Sequence, residues 1–386
     1  MSRLFVGNFD FEHHLARDQS FTLSERLKRL HAELATLWYA VAETGDAIWL
    51  PMPVDFDFSS VMQSRGFPKV EMMTSRSEIP AGVELCPWGW TSQIRRWGET
   101  NRCVVHSPDP AAVRVVNSRH FSWQCERDWG VQISNAAELQ TVNEVQSHLL
   151  RASRRESRWV IKAEFGMSAR ERILGQGVEL AKPDIRWMQN RLSVGSRLYF
   201  EPWVEKSAEV GMQFSIPDVG SPRLEGCTEL LTDPCGQYLG SRWTDRIDQE
   251  WADEIVWGYR VADEVQRAGY FGPLGIDAMR YRDENGSIRS RPIQDINARW
   301  TMGRLALACR RYVPAENCFS WLHVTRPSEP EFLKSMDVRE FSPKMLIADD
   351  AHGVPVQRQV YLVSAGSKAE LLDRESSLLQ SEKSSS

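Results

Sequence analysis

Five features are missing from this 386-residue chain. Its seven cysteines, at 86, 103, 125, 227, 235, 309 and 318, are odd in number and contain no CxxC pair. That excludes a zinc ribbon and argues against a disulfide framework, so reduced thiols and a cytoplasmic location are expected. No apolar run approaches the roughly 18–20 residues of a membrane-spanning helix. The opening MSRLFVGNFDFEHH meets charge too soon for a secretion signal. Basic charge is not in excess: 47 Lys and Arg stand against 52 Asp and Glu, a net charge of -5. A nucleic-acid partner therefore has no electrostatic footprint. Finally, no glycine-rich fingerprint follows the first expected strand, which speaks against a nicotinamide cofactor.

What is present is the composition of a globular protein, 42% hydrophobic and 26% charged, long enough for two or three domains. Residues 4–7 read as a strand, 24–43 as an amphipathic helix with Leu27, Leu30, Leu34 and Leu37 at helical spacing, and 47–50 as a second strand. Strand, helix, strand predicts a βαβ unit. Asp10, Glu12, His13 and His14 cluster just past the first strand and read as loop decoration rather than a ligand set. Pro87-Trp88-Gly89-Trp90 with Trp97 reads as aromatic packing between domains. Residues 111–116 read as the last strand of the first domain. Further on, 130–134 predicts a short strand, Asn135 with Glu138 a capped helix start, and 139–152 a helix. A strand at 159–163 carries a lone Lys162, whose burial requires an anionic partner. Gly166 opens a small-residue loop running to Gly175 and Gly177. The strand at 198–204 contains Glu201, and Glu209 lies eight residues later at the start of the next strand. Helices are expected at 249–269 and 301–312. A strand near 360–363 and a helix near 368–378 form a C-terminal appendage. From about residue 374 the Ser/Glu/Lys-rich tail is expected to be disordered.

The most informative stretch is 270–304. Residues 275–281 form an apolar strand with one acid, Asp277. Asp283-Glu284-Asn285-Gly286 is a turn, and 288–296 returns to end in Asp295-Ile296-Asn297. Alternation puts Asp295 and Asn297 on one face. Asp277 joins them if the loop has three residues with Gly286 at positive φ, or if a bulge near Pro292 has the same effect. Two carboxylates and a carboxamide make a hard-oxygen site suited to Mg²⁺, which is held by few protein ligands plus substrate phosphates. An ordinary hairpin with acids on its wet face is the competing reading.

Asp277, a hairpin, then Asp295-Ile296-Asn297-Ala298-Arg299 resembles the metal-binding end of the ATP-grasp superfamily. The family pattern is an acid on one strand and Glu-x-Asn-x-Arg on the next; here Asp stands at 295 and Ala at 298. Other parts follow in family order. Asn117-Ser118-Arg119 resembles an Asn-x-Lys start of a helix, with Arg119 in the Lys position. Lys162 resembles the strand lysine that meets phosphate, followed by the loop with Gly166, Ser168 and Arg170. Glu201, Trp203 and Val204 resemble the hinge that reads adenine, and Glu209 the ribose ligand. The resemblance covers about residues 117–315.

It implies an α/β (α+β) architecture, an ATP-grasp fold preceded by a small Rossmann-like α/β domain. The expected division is residues 1–116, then 117–318 (a lid, 117–204, and a metal and substrate part, 205–318), then the appendage 319–386. It implies a ligase that activates a carboxylate as an acyl phosphate with ATP, for attack by an amine or thiol. Mg²⁺ (or Mn²⁺) would be held by Asp277, Asp295 and Asn297. Arg119, Lys162, Gly166, Ser168, Arg170, Glu201, Trp203, Val204 and Glu209 would bind nucleotide, with Lys162 and Arg299 catalytic. An acceptor pocket is expected around Arg291, Arg299 and Arg304. Partners would be small-molecule or peptide carboxylates and amines, with neither nucleic acid nor membrane, and a homodimer is compatible with this reading. A non-catalytic ATP-binding regulatory module of the same fold and a non-nucleotide α/β binding protein are the alternatives.

Overall fold

A computed structural model of the protein describes residues 2–16, 23–55, 57–152, 157–166, 171–324, 338–341, 344–347, 350–355 and 359–380. Strands β1 (Arg3–Val6), β2 (Ala47–Trp49), β3 (Glu71–Met73) and β4 (Glu84–Pro87) form a parallel sheet in the order β3-β2-β1-β4. Both faces are covered, as a parallel sheet requires. Phe5 and Ile48 join one core, while Leu4, Val6, Ala47 and Leu85 join another. The connecting helix is Glu25–Ala35, capped by the Ser24 hydroxyl, and it tightens into a 3-10 turn at Thr36–Ala40. The segment expected to close this domain as a strand is instead the helix Pro110–Val116. Asp109 accepts from Ala111 N at 2.7 Å and Pro110 occupies the first turn. Local capping thus overrides the strand preference of three valines.

A second sheet has the antiparallel order β5-β8-β6-β7, from β5 (Ala137–Leu139), β6 (Arg158–Ala163), β7 (Arg172–Gln176) and β8 (Leu198–Pro202). The helices Val142–Ala152 and Lys182–Leu192 cover one face through Leu149, Trp159, Ile161, Met188, Leu198 and Phe200. Period-two alternation then sends Lys162 and Glu201 to the other face. Residues 130–134 are not a strand. The helix Arg119–Trp129 ends at Gly130 with φ 67°, and Asn135 turns at φ 64° rather than capping a helix. Glu138 lies in β5, and the next helix is capped by Thr141, which accepts from Glu144 N at 3.1 Å.

The third sheet has eight strands in the order β13-β12-β9-β10-β11-β14-β18-β15. They are β9 (Glu205–Ile216), β10 (Arg223–Thr232), β11 (Tyr238–Trp243), β12 (Gly272–Arg282), β13 (Ile288–Asn297), β14 (Cys318–Val324), β15 (Val338–Glu340) and β18 (Gln359–Ala365). Strands β16 (Lys344–Ile347) and β17 (Asp350–Pro355) pair separately. Strand β9 starts four residues before Glu209, which therefore lies inside it. Val210, Met212, Phe214, Leu274, Ile276 and Ile296 fill the core, so Glu209, Gln213, Asp277, Asp295 and Asn297 share the opposite face. The expected long helix is interrupted at Trp251 into Ile247–Glu250 and Ala252–Arg267. The terminal helix Lys368–Gln380 extends into the segment expected to be disordered. Glu375 is buried there because Arg242 clamps it, its Nε reaching the carboxylate at 2.8 Å.

Candidate active site

The β12–β13 hairpin resolves the register question. Asp283 N donates to Ser287 O and Gly286 N to Asp283 O, both at 2.9 Å, around a three-residue loop. Gly286 sits at φ 78°, where a side chain would strain the backbone. A bulge is present as well: Met279 pairs with Arg291, but Asp277 pairs with Asp295, so Ala278 faces residues 292–294. Two extra residues leave the alternation unchanged, and Asp277, Asp295 and Asn297 come together on one face. Asn297 Nδ2 lies 3.4 Å from Asp277 Oδ2. Burial, then the neighbouring Asp295 and Glu209, push the Asp277 carboxyl up to about 8. Glu209 itself is buried and accepts from Lys206 at 2.6 Å, Thr232 at 2.8 Å and Gln294 at 3.0 Å.

Across from these acids lies a cationic wall. Ser118 caps the helix Arg119–Trp129, accepting from Phe121 N at 3.2 Å. Arg119, at its first position, donates through Nε to Ala163 O at 3.1 Å and stands 3.6 Å from Asp295 Oδ1. Asn117 fixes the end of β13 by accepting from Ala298 N at 2.9 Å and donating to Ala298 O at 3.3 Å. Lys162 Nζ donates to Glu201 Oε2 at 2.6 Å. Burial lowers the Lys162 ammonium's pKa despite Glu201, and Arg119 and Arg291 add to the lowering.

Glu201 belongs to a buried quartet. Arg291, 4% exposed, grips Glu126 through Nε at 2.6 Å and Nη2 at 2.9 Å, and reaches Glu201 through Nη1 at 2.9 Å and Nη2 at 3.0 Å. Burial would raise the Glu201 carboxyl, but Arg291 and Lys162 hold it far below the usual carboxylate range. Both Glu201 oxygens are thus engaged within the protein. Arg291 is likewise a buried structural cation and not part of an acceptor pocket, which corrects that expectation. Trp203 and Val204 form the two-residue junction between β8 and β9, with Trp203 N bonded to Arg158 O at 2.9 Å. The Trp203 ring faces the guanidinium groups of Arg158 and Arg172 at 5.2 and 5.8 Å. Gly166 follows a bend at Glu164–Phe165; Ser168 and Arg170 lie outside the described residues.

Sequence reasoning missed two contributors. Glu126 falls on the inward side of its helix with Ser122 and Cys125, and an acid on a buried face was the available signal. Glu12, set aside as loop decoration, accepts from Arg299 Nε at 2.6 Å. Arg299 also donates to Asn297 Oδ1 at 2.9 Å and to Trp300 O at 2.8 Å. Trp88 packs against Phe9, Trp38 and the Arg299 guanidinium, and its carbonyl accepts from Trp300 N at 3.0 Å. Aromatic packing therefore seats the first sheet against the end of the third. Next to Trp88, a Cβ on Gly89 would come within 2.5 Å of the Phe11 ring, so that approach requires glycine. Arg304 stands by Ser215 at 2.9 Å and Glu225 at 3.4 Å.

Among solved structures the chain is similar to the ADP complex of an N5-carboxyaminoimidazole ribonucleotide synthetase. The TM-score is 0.57 at 11% identity over 98% of this chain and 96% of that one. The Thermus thermophilus enzyme of the same name gives 0.56 at 13% identity over 98% of both chains. The biotin carboxylase domain of Hydrogenobacter thermophilus 2-oxoglutarate carboxylase, in complex with MgADP, ADP and bicarbonate, gives 0.54 at 10% identity over 98% and 89%. The chain has the ATP-grasp fold. No family model matches it, and no curated protein matches it significantly.

In this ATP-grasp frame the donor set fits a divalent cation. Two facing carboxylates and an amide supply hard oxygens, and burial with two acidic neighbours raises the Asp277 carboxyl, a shift that a bound cation would oppose. Among the described residues no group of three or more His, Cys, Asp or Glu gathers as a metal site, so the protein alone offers a partial coordination shell. Among the same residues no helix is long and apolar enough to cross a membrane, and all seven cysteines are free thiols.

Proposed function

We propose that the protein is an ATP-dependent ligase that activates a small carboxylate as its acyl phosphate and transfers the acyl group to an amine. The observation that carries this reading is the opposition of two charge fields: Asp277, Asp295 and Asn297 on the third sheet, against Arg119 and Lys162 on the other side. Mg²⁺, when bound, neutralises charge on the phosphates. The chain's own residues position the reactants. Arg119 and Lys162 take the phosphate oxygens, Lys162 exchanging Glu201 for an anion that better supports its charge. The Trp203–Val204 backbone and Glu209 take the nucleoside. Arg299 steadies the transferring group or the substrate carboxylate. The division at 116/117, 204/205 and 318/319 completes the proposal, with the middle part as the ligase body. Free thiols fit a cytoplasmic enzyme.

Bicarbonate is the first carboxylate to test, because the Hydrogenobacter domain is in complex with bicarbonate as well as MgADP. The assay is ADP release from Mg-ATP against bicarbonate and a panel of small carboxylates, each with and without pooled amines. ADP release that needs one carboxylate and rises with one amine is the expected result. A melting shift with Mg-ATP but no ADP release would favour a regulatory module, and no shift at millimolar nucleotide would remove nucleotide binding altogether. Within this reading, Lys162→Ala should weaken ATP binding about tenfold or more, the scale of one charge-assisted contact. Unchanged ATP affinity in a calorimetric titration would take Lys162 out of the site.

A further inference from the structure

Among the described residues, four arginines grip through Nε a glutamate from a distant part of the chain, and three of them complete the two-pronged fork. Arg280 reaches Glu254 through Nε at 3.0 Å and Nη2 at 2.8 Å. Arg291 does the same with Glu126, at 2.6 and 2.9 Å. Arg242 places Nε and Nη2 on the two oxygens of Glu375. Arg299 makes half a fork. Its Nε is on Glu12 Oε1 at 2.6 Å, but its Nη2 is drawn to Asn297 Oδ1 at 2.9 Å. Glu12 Oε2 is left buried, with no hydrogen-bond partner among the described residues. A carboxylate oxygen buried beside a guanidinium and not bonded to it is costly, and something else must use it.

The Asn297 amide shows what that use is. A hard cation takes the carbonyl oxygen of an asparagine, never its NH₂ group. Here Oδ1 faces Arg299, and Nδ2 faces Asp277. A cation placed between Asp277 and Asp295 would meet the NH₂ group. Turning the amide over offers Oδ1 to the cation, but it also points Nδ2 at Arg299 Nη2. Two donors cannot share that contact, so Nη2 must leave. With Nε anchored on Oε1, the neighbouring Oε2 is the acceptor a side-on fork uses.

We infer that Arg299 has two stations and that Glu12 Oε2 is the second, taken when a divalent cation occupies Asp277, Asp295 and Asn297. The inference rests on the proposed metal site and adds to it a positioning residue from the first domain. Glu12 acts through Arg299 and Asn297, not on the substrate. Its consequence is reciprocal: cation binding tightens the link between the helix Phe11–Ala16 and the end of β13, and that link strengthens cation binding.

The test is Glu12→Gln, which keeps an oxygen for Nε but puts an NH₂ group where Nη2 would arrive. The probe is Mn²⁺ with saturating ADP, followed by loss of the free-ion resonance signal. Affinity for Mn²⁺ should fall about tenfold, the scale of one charge-assisted hydrogen bond, measured below the melting point of the variant so that the lost Arg299–Glu12 ion pair does not unfold it. Removing a charge could weaken the cation by field alone, so the same substitution is made in Asn297→Asp. An aspartate has oxygen on both branches and needs no rotation, and there Glu12→Gln should have little effect. An equal loss in both backgrounds, or none in either, would overturn the two-station arginine while leaving the metal site standing. No Mn²⁺ binding by the unaltered protein would overturn the metal site itself. The nitrogen NMR spectrum of the unaltered protein needs no variant. Mg²⁺ with ADP should slow proton exchange at Arg299 Nη2 as the fork closes, and an unchanged guanidinium signal would also defeat the inference.

Discussion

Replacing Arg291 by alanine is expected to destabilise the protein by about 3–5 kcal/mol, the cost of stripping one partner from a buried ion cluster. Arg291, Lys162, Glu126 and Glu201 sum to no net charge, and Arg291 is the only one bonded to both glutamates. Without it two buried carboxylates share a single ammonium. Arg291→Lys should recover little, because one point charge cannot make the four bonds of the fork. Arg291→Met combined with Glu126→Gln restores neutrality and should recover most of the loss. Urea unfolding followed by tryptophan fluorescence measures this. A loss below about 1 kcal/mol for Arg291→Ala, the range of surface pairs, would mean that water reaches the quartet.

The second large effect concerns Asp277. Its folded pKa of about 8 lies above the ordinary value of 3.8, with burial first among the causes and then Asp295 and Glu209. The folded protein therefore holds a proton that the unfolded chain has released between those two values. The sign follows: in the metal-free protein this group carries no penalty below about pH 4, and the penalty grows as pH rises towards 8. Asp277→Asn should remove it, raising metal-free stability by roughly 1–3 kcal/mol at pH 8 and leaving stability at pH 4 unchanged. Divalent cations compete with that proton, so Mg²⁺ affinity of the unaltered protein should climb through the same window and level off near pH 8. With Mg-ATP present the order reverses, because the variant loses ligand stabilisation, and turnover should fall on the order of 10²–10³-fold. A destabilised metal-free Asp277→Asn would show the acid to be structural.

The chain's organisation was legible where one physical rule dominates. Alternation placed Asp295 and Asn297 together, and turn chemistry at Gly286 placed Asp277 with them. The βαβ start followed from leucine spacing between two short apolar runs. Where two rules compete, the sequence misled. Residues 110–116 have strand-forming valines, but a capping aspartate and a proline make a helix. Residues 374–380 have the composition of a tail, but Arg242 on a distant strand neutralises Glu375. Partners that are far apart in sequence left the weakest trace. Nothing local to Glu201 announces Arg291, and nothing local to Glu12 announces Arg299, because each contact is set by sheets that pack only in three dimensions. The lone lysine on β6 did require a buried anion, and the anion in this structure is Glu201.

The order of the quartet along the chain has a consequence for biosynthesis. Glu126, Lys162 and Glu201 leave the ribosome before Arg291 does, 90 residues after Glu201. All four strands of the second sheet are complete by Pro202, so that sheet can assemble while its charge cluster is still one cation short. A nascent chain halted before residue 291 would carry two inward-facing carboxylates and one ammonium. Such a chain should be cleaved by protease within the second sheet far more readily than one halted just after β13.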